Sequence, residues 1–368
     1  MIPEALIRLD DFRLLPGERL EAARVVASGM RSGLESAVCE IDLHCHSFYS
    51  DGYCSPAMRV CEAWRRGMRG IAIADHDVFD GQEEALAAGG IFGIDVVPAI
   101  EFYTDRPGIE IIGHFPDHDS FRAMFASGIW AEVVEPIREA KRKQLAGMIS
   151  RIPACFARLG FSAEILPGDI DLYLRNGIST KGDISVLMWQ KYGAGLSAAG
   201  IASDVKDFQL RYTTKDDRLN LHLELAMDLS PEAFVRRIRA WGGLPGLAHP
   251  TELRAKEKLD NAGLRSVISD LAAAGLQCIE IDGWRNGKCP ETALPQTELF
   301  EQIRHEFNAA HPGQLPLLFS NGSDDHNQPG EGLQLGSGRN RNLRPEFGRY
   351  ENLLALRQRQ QILGLWKG

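Results

Sequence analysis

Gly70-Ile71-Ala72-Ile73-Ala74-Asp75-His76-Asp77 is an uncharged run that stops abruptly on three ionisable residues. Small and aliphatic residues without charge read as a strand buried on both faces, the kind found in parallel sheets covered by helices. Charged groups clustered at its end need partners, because burying them unpaired is costly. The pattern recurs along the chain. Ile41-Asp42-Leu43 leads into His44-Cys45-His46, and Val96-Val97-Pro98-Ala99-Ile100 into Glu101. Gly246-Leu247-Ala248 precedes His249, and the run from Leu315 to Ser320 precedes Asp324 and His326.

Helical patterns separate these strands. Ser55-Pro56 opens a helix to about Met68, with Ser as N-cap and Pro in the first turn. A helical stretch follows from Gln82 to Ala88, then strands Asp95–Ile100 and Ile109–Ile112. This βαβ rhythm predicts mainly parallel strands with helices outside. It breaks from about Asp119 to Arg239, where Glu135–Arg151 and Asp183–Tyr192 read as helices and no buried strand is evident. Strand patterns return at Pro245–Ala248, Cys278–Ile281 and Leu315–Ser320, and a helix over about Arg349–Leu363 closes the chain. Three parts are expected: an extension over 1–36 with a helix near Glu18–Ala27, an α/β domain over 37–118 and 240–368, and a mainly helical insertion over 119–239.

Composition narrows the function. The 368 residues, 44% hydrophobic and 25% charged, suit an ordinary globular protein. A net charge of −9 argues against a surface for duplex nucleic acid, while leaving small anions open as substrates wherever bound cations invert the local field. The seven cysteines form no CxxC pair and read as reduced thiols. The N-terminus is too acidic and too broken by Pro3 and Pro16 for a signal peptide. No apolar run reaches the roughly 18 residues of a membrane span. A soluble cytoplasmic protein without a membrane partner is expected, of open oligomeric state.

The strand-end residues suit divalent metal ions. On a strand, His44 and His46 share one face and Cys45 takes the other, so the two imidazoles can bind one ion. Asp51 follows in a turn with Gly52 and can swing towards the same centre. His76 reads as a ligand with Asp75 or Asp77 on its second nitrogen; taken alone, either aspartate is as readily a helix N-cap. Glu101 can bridge two ions, although a lone strand-end carboxylate is more often in a salt bridge. His249, Asp324 and His326 are each ordinary singly. Together at strand ends they mark the face where α/β barrels carry their chemistry.

These motifs, His44-x-His46 with Ser50-Asp51-Gly52, Asp75-His76-Asp77, Glu101, Ala248-His249-Pro250 and Gly322-Ser323-Asp324-x-His326, resemble the polymerase-and-histidinol-phosphatase (PHP) family in order and spacing. The resemblance implies a distorted (β/α)7 TIM-like barrel with a mainly helical insertion. It implies two or three divalent metal ions, commonly Mn2+, Zn2+ or Fe2+, and hydrolysis of phosphate esters. By this resemblance His44, His46, Glu101 and Asp324 hold one ion, and Asp51, His76 and His326 another. Glu101 and His249 contribute to a third position. The family usually has a histidine where this chain has Glu110, which adds negative charge and suits harder metals; His114 is the substitute four residues on. Where nucleotide phosphatases of the family have an Arg-Pro-His type segment, the nearest match is Lys181-Gly182-Asp183, so Lys181 is the candidate phosphate contact.

The expected reaction is hydrolysis of a phosphomonoester or small phosphodiester by metal-activated hydroxide, with Asp51, His76 or His249 as proton donor. The resemblance places nucleotides first among substrates: 3′,5′-bisphosphates or short RNA ends, ahead of cyclic or sugar phosphates and histidinol phosphate. Two other readings stand beside it: a metal-binding PHP domain without catalysis, and an amidohydrolase-type enzyme, for which no strand offers an obvious lysine.

Overall fold

A computed structural model describes residues 2–33, 37–166, 168–169, 181–213, 219, 221–223, 229–255, 259–282, 290–328, 332–338 and 343–368. Its centre is a seven-stranded sheet with strands in sequence order: β1 (Ile41–Cys45), β2 (Gly70–Ile73), β3 (Asp95–Tyr103), β4 (Glu110–His114), β5 (Leu244–Leu247), β6 (Cys278–Asp282) and β7 (Leu318–Gly322). A bridge between Cys45 and Asp325 brings the two edges together, so the sheet is a nearly closed barrel. The pairs β1–β2, β2–β3, β5–β6 and β6–β7 are parallel. β4 runs antiparallel to both neighbours.

The strands behave as the uncharged runs predict. Ala72 and Ala74 of the β2 segment pack with Leu43, Val97, Ala99, Ile112 and Cys278 in one core cluster. Ile71, Ile73 and Val96 pack instead with residues of the helices Pro56–Arg65 and Gln82–Phe92. Ser55 caps the first of these helices, its Oγ accepting from the Met58 N–H at 2.9 Å with Pro56 behind it, as its sequence suggests. β1 departs from simple alternation. Its register shifts between Asp42 and Cys45, and Leu43 and Cys45 join different core clusters. Irregularities of this type re-aim side chains beside functional sites.

The N-terminal residues form two helices, Ile2–Leu9 and Pro16–Gly29, the second longer than its pattern suggests. Ala5, Leu9, Ala22, Ala23 and Val26 share a core with Val60, Cys61 and Ile71, and the buried Arg19 binds Glu84. Other elements also run past their sequence estimates: the strand ending at Tyr103 and the helices Ala131–Ala157 and Lys181–Ala198.

Two compact units divide the chain. One comprises Met1–Phe48, Gly52–Ala131 and Asp228–Gly368 and holds the barrel. The other comprises Glu132–Met227 with Tyr49–Asp51. Its core is built from helices: Phe156, Met188, Phe208 and Tyr212 cluster with Leu145 and Met148. Among the described residues, no helix is long and apolar enough to cross a membrane.

Candidate metal centre

The residues that end the strands meet at one rim of the barrel. Asp324 N–H donates to the His44 carbonyl at 2.8 Å and His46 N–H to the Asp325 carbonyl at 3.0 Å, which ties the loop after β7 to the end of β1. Asp77 N–H donates to the Glu101 carbonyl at 2.8 Å and joins the ends of β2 and β3. Asp77, His249, Asp324 and Asn327 hold left-handed backbone, with φ of 60°, 23°, 52° and 50°. Such backbone in non-glycine residues concentrates where a site over-determines its geometry. Gly52 meets a steric demand: a Cβ there would lie 2.6 Å from the His46 carbonyl carbon and oxygen.

His44, His46, Glu101 and Asp324 are all buried and present one ligand atom each within 4.8 Å of one another. His44 Nε2 and His46 Nε2 are 3.1 Å apart. Two nitrogens each bonded at about 2.0–2.1 Å to a shared ion stand roughly this far apart. Glu101 is central. Its Oε2 lies 3.1 Å from His44 Nε2, 3.4 Å from His46 Nε2 and 3.2 Å from His76 Nδ1, while Oε1 lies 2.9 Å from His249 Nε2. A second candidate set includes His46, His76 and His326. The rings of His46 and His326 stack at 4.2 Å between centroids, and those of His46 and His76 at 4.7 Å. A third set is His76, Glu101 and Glu110, with His249 Nε2 3.3 Å from Glu110 Oε2.

The electrostatics call for positive charge. Burial alone lowers the His44 pKa, but the Glu101, Glu280 and Asp324 carboxylates outweigh it and hold it well above the ordinary imidazole value. His249 is likewise raised against its burial, by Glu110, Glu101 and Glu252. Burial raises the Glu101 pKa, yet His44, His76 and the bonds from His249 and His44 bring it well below the usual carboxylate range. Protons on imidazoles thus balance a crowd of carboxylates. Imidazole and carboxylate donors this close and this buried fit divalent cations.

Three expectations change. His114 does not complete a cation set. Its Nε2 donates to the Leu43 carbonyl at 2.8 Å, and burial depresses its pKa to about 4. The reason is the reversal of β4, which puts Glu110 at the rim and His114 at the other end. Around His76 the sequence expectation shifts as well. Asp75 instead accepts from Ser47 N–H at 2.8 Å and Ser47 Oγ at 2.6 Å, and it is the Tyr103 hydroxyl that lies 3.0 Å from His76 Nε2. Nor is either aspartate a helix cap, since Gly81 precedes the helix Gln82–Phe92. Lys181 opens the helix Lys181–Ala198, and its side chain lies outside the described residues.

Two neighbours escaped the sequence reading. Glu280 Oε2 lies 2.7 Å from His44 Nδ1, and Tyr103 stacks on His76 at 4.1 Å between centroids. Glu280 carried a signal like that of Glu101, a carboxylate directly after apolar strand residues. Tyr103 carried none, since an aromatic residue suits any strand end.

Residues 42–185 match the PHP domain family. Over 297 residues, 80% of this chain and 90% of the relative, the sequence is 26% identical to a 3′,5′-nucleoside bisphosphate phosphatase from Chromobacterium violaceum. Over 74 residues it is 40% identical to a 5′-3′ exoribonuclease from Haemophilus influenzae, a match spanning 27% of that protein and 20% of this chain. Among solved structures, a candidate metal-dependent phosphoesterase from Bifidobacterium adolescentis aligns with TM-score 0.62 and 20% identity, covering 87% of this chain and 96% of its own. An amidohydrolase from Chromobacterium violaceum with bound sulfate aligns with TM-score 0.60 and 23% identity, covering 86% and 96%. Both structural likenesses concern the fold.

Proposed function

We propose that this chain, whose residues 42–185 match the PHP domain family, hydrolyses phosphate esters with bound divalent ions, and that its substrate is a small phosphorylated nucleotide of the 3′,5′-bisphosphate class. The observation that carries the reading is the gathering of His44, His46, Glu101 and Asp324, four buried donors from three different strand ends. Ligands assembled this way around a rim mark chemistry rather than packing. The substrate class draws support from the phosphatase relative, which aligns over 80% of this chain.

In this reading His44, His46, Glu101 and Asp324 hold one ion. His46, Asp51, His76 and His326 hold a second. Glu101, Glu110, His76 and His249 form the third position, where Glu110 adds a carboxylate that suits harder ions such as Mn2+ or Fe2+. Ions held there supply a water of lowered pKa and neutralise the phosphoryl oxygens. The chain's own residues supply the rest. Glu101 faces four imidazoles and keeps the positions in register, and Asp51, His76 and His249 are the groups assigned to pass a proton to the leaving oxygen. Lys181 is assigned to the phosphate as a point charge. Short RNA ends are the second substrate class, favoured by the match to the exoribonuclease.

The test is phosphate release from adenosine 3′,5′-bisphosphate by manganese-reconstituted protein, with adenosine 5′-monophosphate and a short RNA alongside. Rapid release from the bisphosphate, absent in His326→Ala, supports the reading. Turnover of RNA without the bisphosphate moves the substrate to nucleic acid ends.

A further inference from the structure

Strand β6 reads Cys278-Ile279-Glu280-Ile281-Asp282, and Glu280 at its middle is almost fully buried, at 1% exposure. Glu280 belongs to none of the three candidate cation sets among the described residues. It lies on the far side of a ligand instead. Its Oε2 is 2.7 Å from His44 Nδ1, while His44 Nε2 faces Glu101 Oε2 at 3.1 Å and His46 Nε2 at 3.1 Å.

We propose that Glu280 is a positioning residue of the metal centre, which accepts the Nδ1–H of His44 and so presents Nε2 to the cation. The proposal rests on the reading that His44 is a ligand. The two nitrogens of an imidazole point away from each other, and the bond made by one decides which form the other takes. A carboxylate on the rear nitrogen also makes the front one a stronger donor, and loss of such a partner typically weakens metal binding 10–100-fold. His326 shows the weaker form of the same arrangement, with its Nδ1 donating to the neutral Asp324 carbonyl at 2.8 Å. The rear nitrogen of His249 lies 3.7 Å from Glu252, beyond hydrogen-bond distance.

The bland alternative is that Glu280 merely ties β6 to β1. Its other oxygen, Oε1, has no hydrogen-bond partner among the described residues. A carboxylate buried with half its acceptors unused is a poor structural tie. The fold also keeps space for this pair. A Cβ on Gly322 would lie 2.2 Å from the His44 Cβ and 3.2 Å from Glu280 Oε1, so β7 forgoes a side chain where the two meet.

The experiment titrates the full-length, metal-stripped protein with Zn2+ against a chelator, without substrate, and records the imidazole N–H resonances of the zinc-loaded form. Glu280→Met keeps the volume and removes the acceptor; Glu280→Gln keeps an oxygen that can accept. Expected are 10–100-fold weaker zinc binding in Glu280→Met, an intermediate value in Glu280→Gln, and loss of the hydrogen-bonded His44 Nδ1–H resonance in the Met variant alone. Wild-type affinity with an unchanged resonance in a folded Glu280→Met overturns the proposal. His44→Ala separates the two claims. Weakened binding there, with Glu280→Met unaffected, refutes the role of Glu280 only; unweakened binding in His44→Ala refutes the ligand reading as well.

Discussion

Tyr103 and Glu110 stand directly opposite one another in the antiparallel pair β3–β4. The residue that ends one strand and the residue that begins the next therefore share a rim, and Glu110 reaches His249 at 3.3 Å while His114 is turned to the Leu43 carbonyl. Glu110→Ala should weaken binding of one Mn2+ equivalent at least tenfold and leave the protein folded. His114→Gln should leave metal content unchanged. Elemental analysis after dialysis against graded Mn2+ checks both.

Gly322→Ala should disable the centre without touching a ligand. The new methyl would lie 2.2 Å from the His44 Cβ, a contact that no rotamer change relieves because both atoms are fixed to the backbone. Either His44 or the loop after β7 must move. A loss of turnover of at least 100-fold is expected, since displacements of about 1 Å carry costs of that order. Steady-state kinetics at saturating Mn2+ measures it.

Arg59 is completely buried and donates to the Asp325 carbonyl at 2.6 Å, with its carboxylate at 3.1 Å. Asp325 in turn accepts from the N–H groups of Asn327, Gln334 and Leu335. Arg59→Ala strands a buried carboxylate, which costs about 3–5 kcal/mol. Urea unfolding should show that loss, with metal affinity falling as the Asp324–His326 loop slackens.

Stability should fall in mild acid through His114. Burial depresses its pKa from 6.5 to about 4 in the folded chain. Above pH 6.5 the ring is neutral in both states and contributes no pH dependence. Between 6.5 and 4 the unfolded chain gains a proton that the folded one refuses, so stability falls as pH falls. The loss approaches roughly 3 kcal/mol. His114→Gln should abolish this component, which parallel unfolding curves at pH 7 and pH 4.5 reveal.

Much of this was legible in the sequence because burial and charge leave local marks. The run Gly70–Ala74 could hardly be other than a buried strand, and Asp75, His76 and Asp77 at its end announced a site. What escaped depends on strand direction and long-range contact. Nothing local to Ile109–Ile112 says that β4 runs backwards, so Glu110 and His114 looked equally placed. Tyr103, 27 residues from His76, brings its hydroxyl to 3.0 Å from His76 Nε2, a contact that no local pattern announces. Glu280 and His44 are 236 residues apart, and only the closed barrel brings them to 2.7 Å.

The central claim is that the clustered imidazoles and carboxylates bind ions that carry phosphate-ester hydrolysis. The direct measurement is phosphate release from a panel of phosphate esters by metal-stripped protein, as Mn2+ is restored, for the wild type and for His44→Ala and Asp324→Ala. The account predicts no release without metal, recovery that tracks Mn2+ binding in the wild type, and loss of both binding and release in the two variants. Full activity in the stripped protein, or in variants that no longer bind metal, would contradict it.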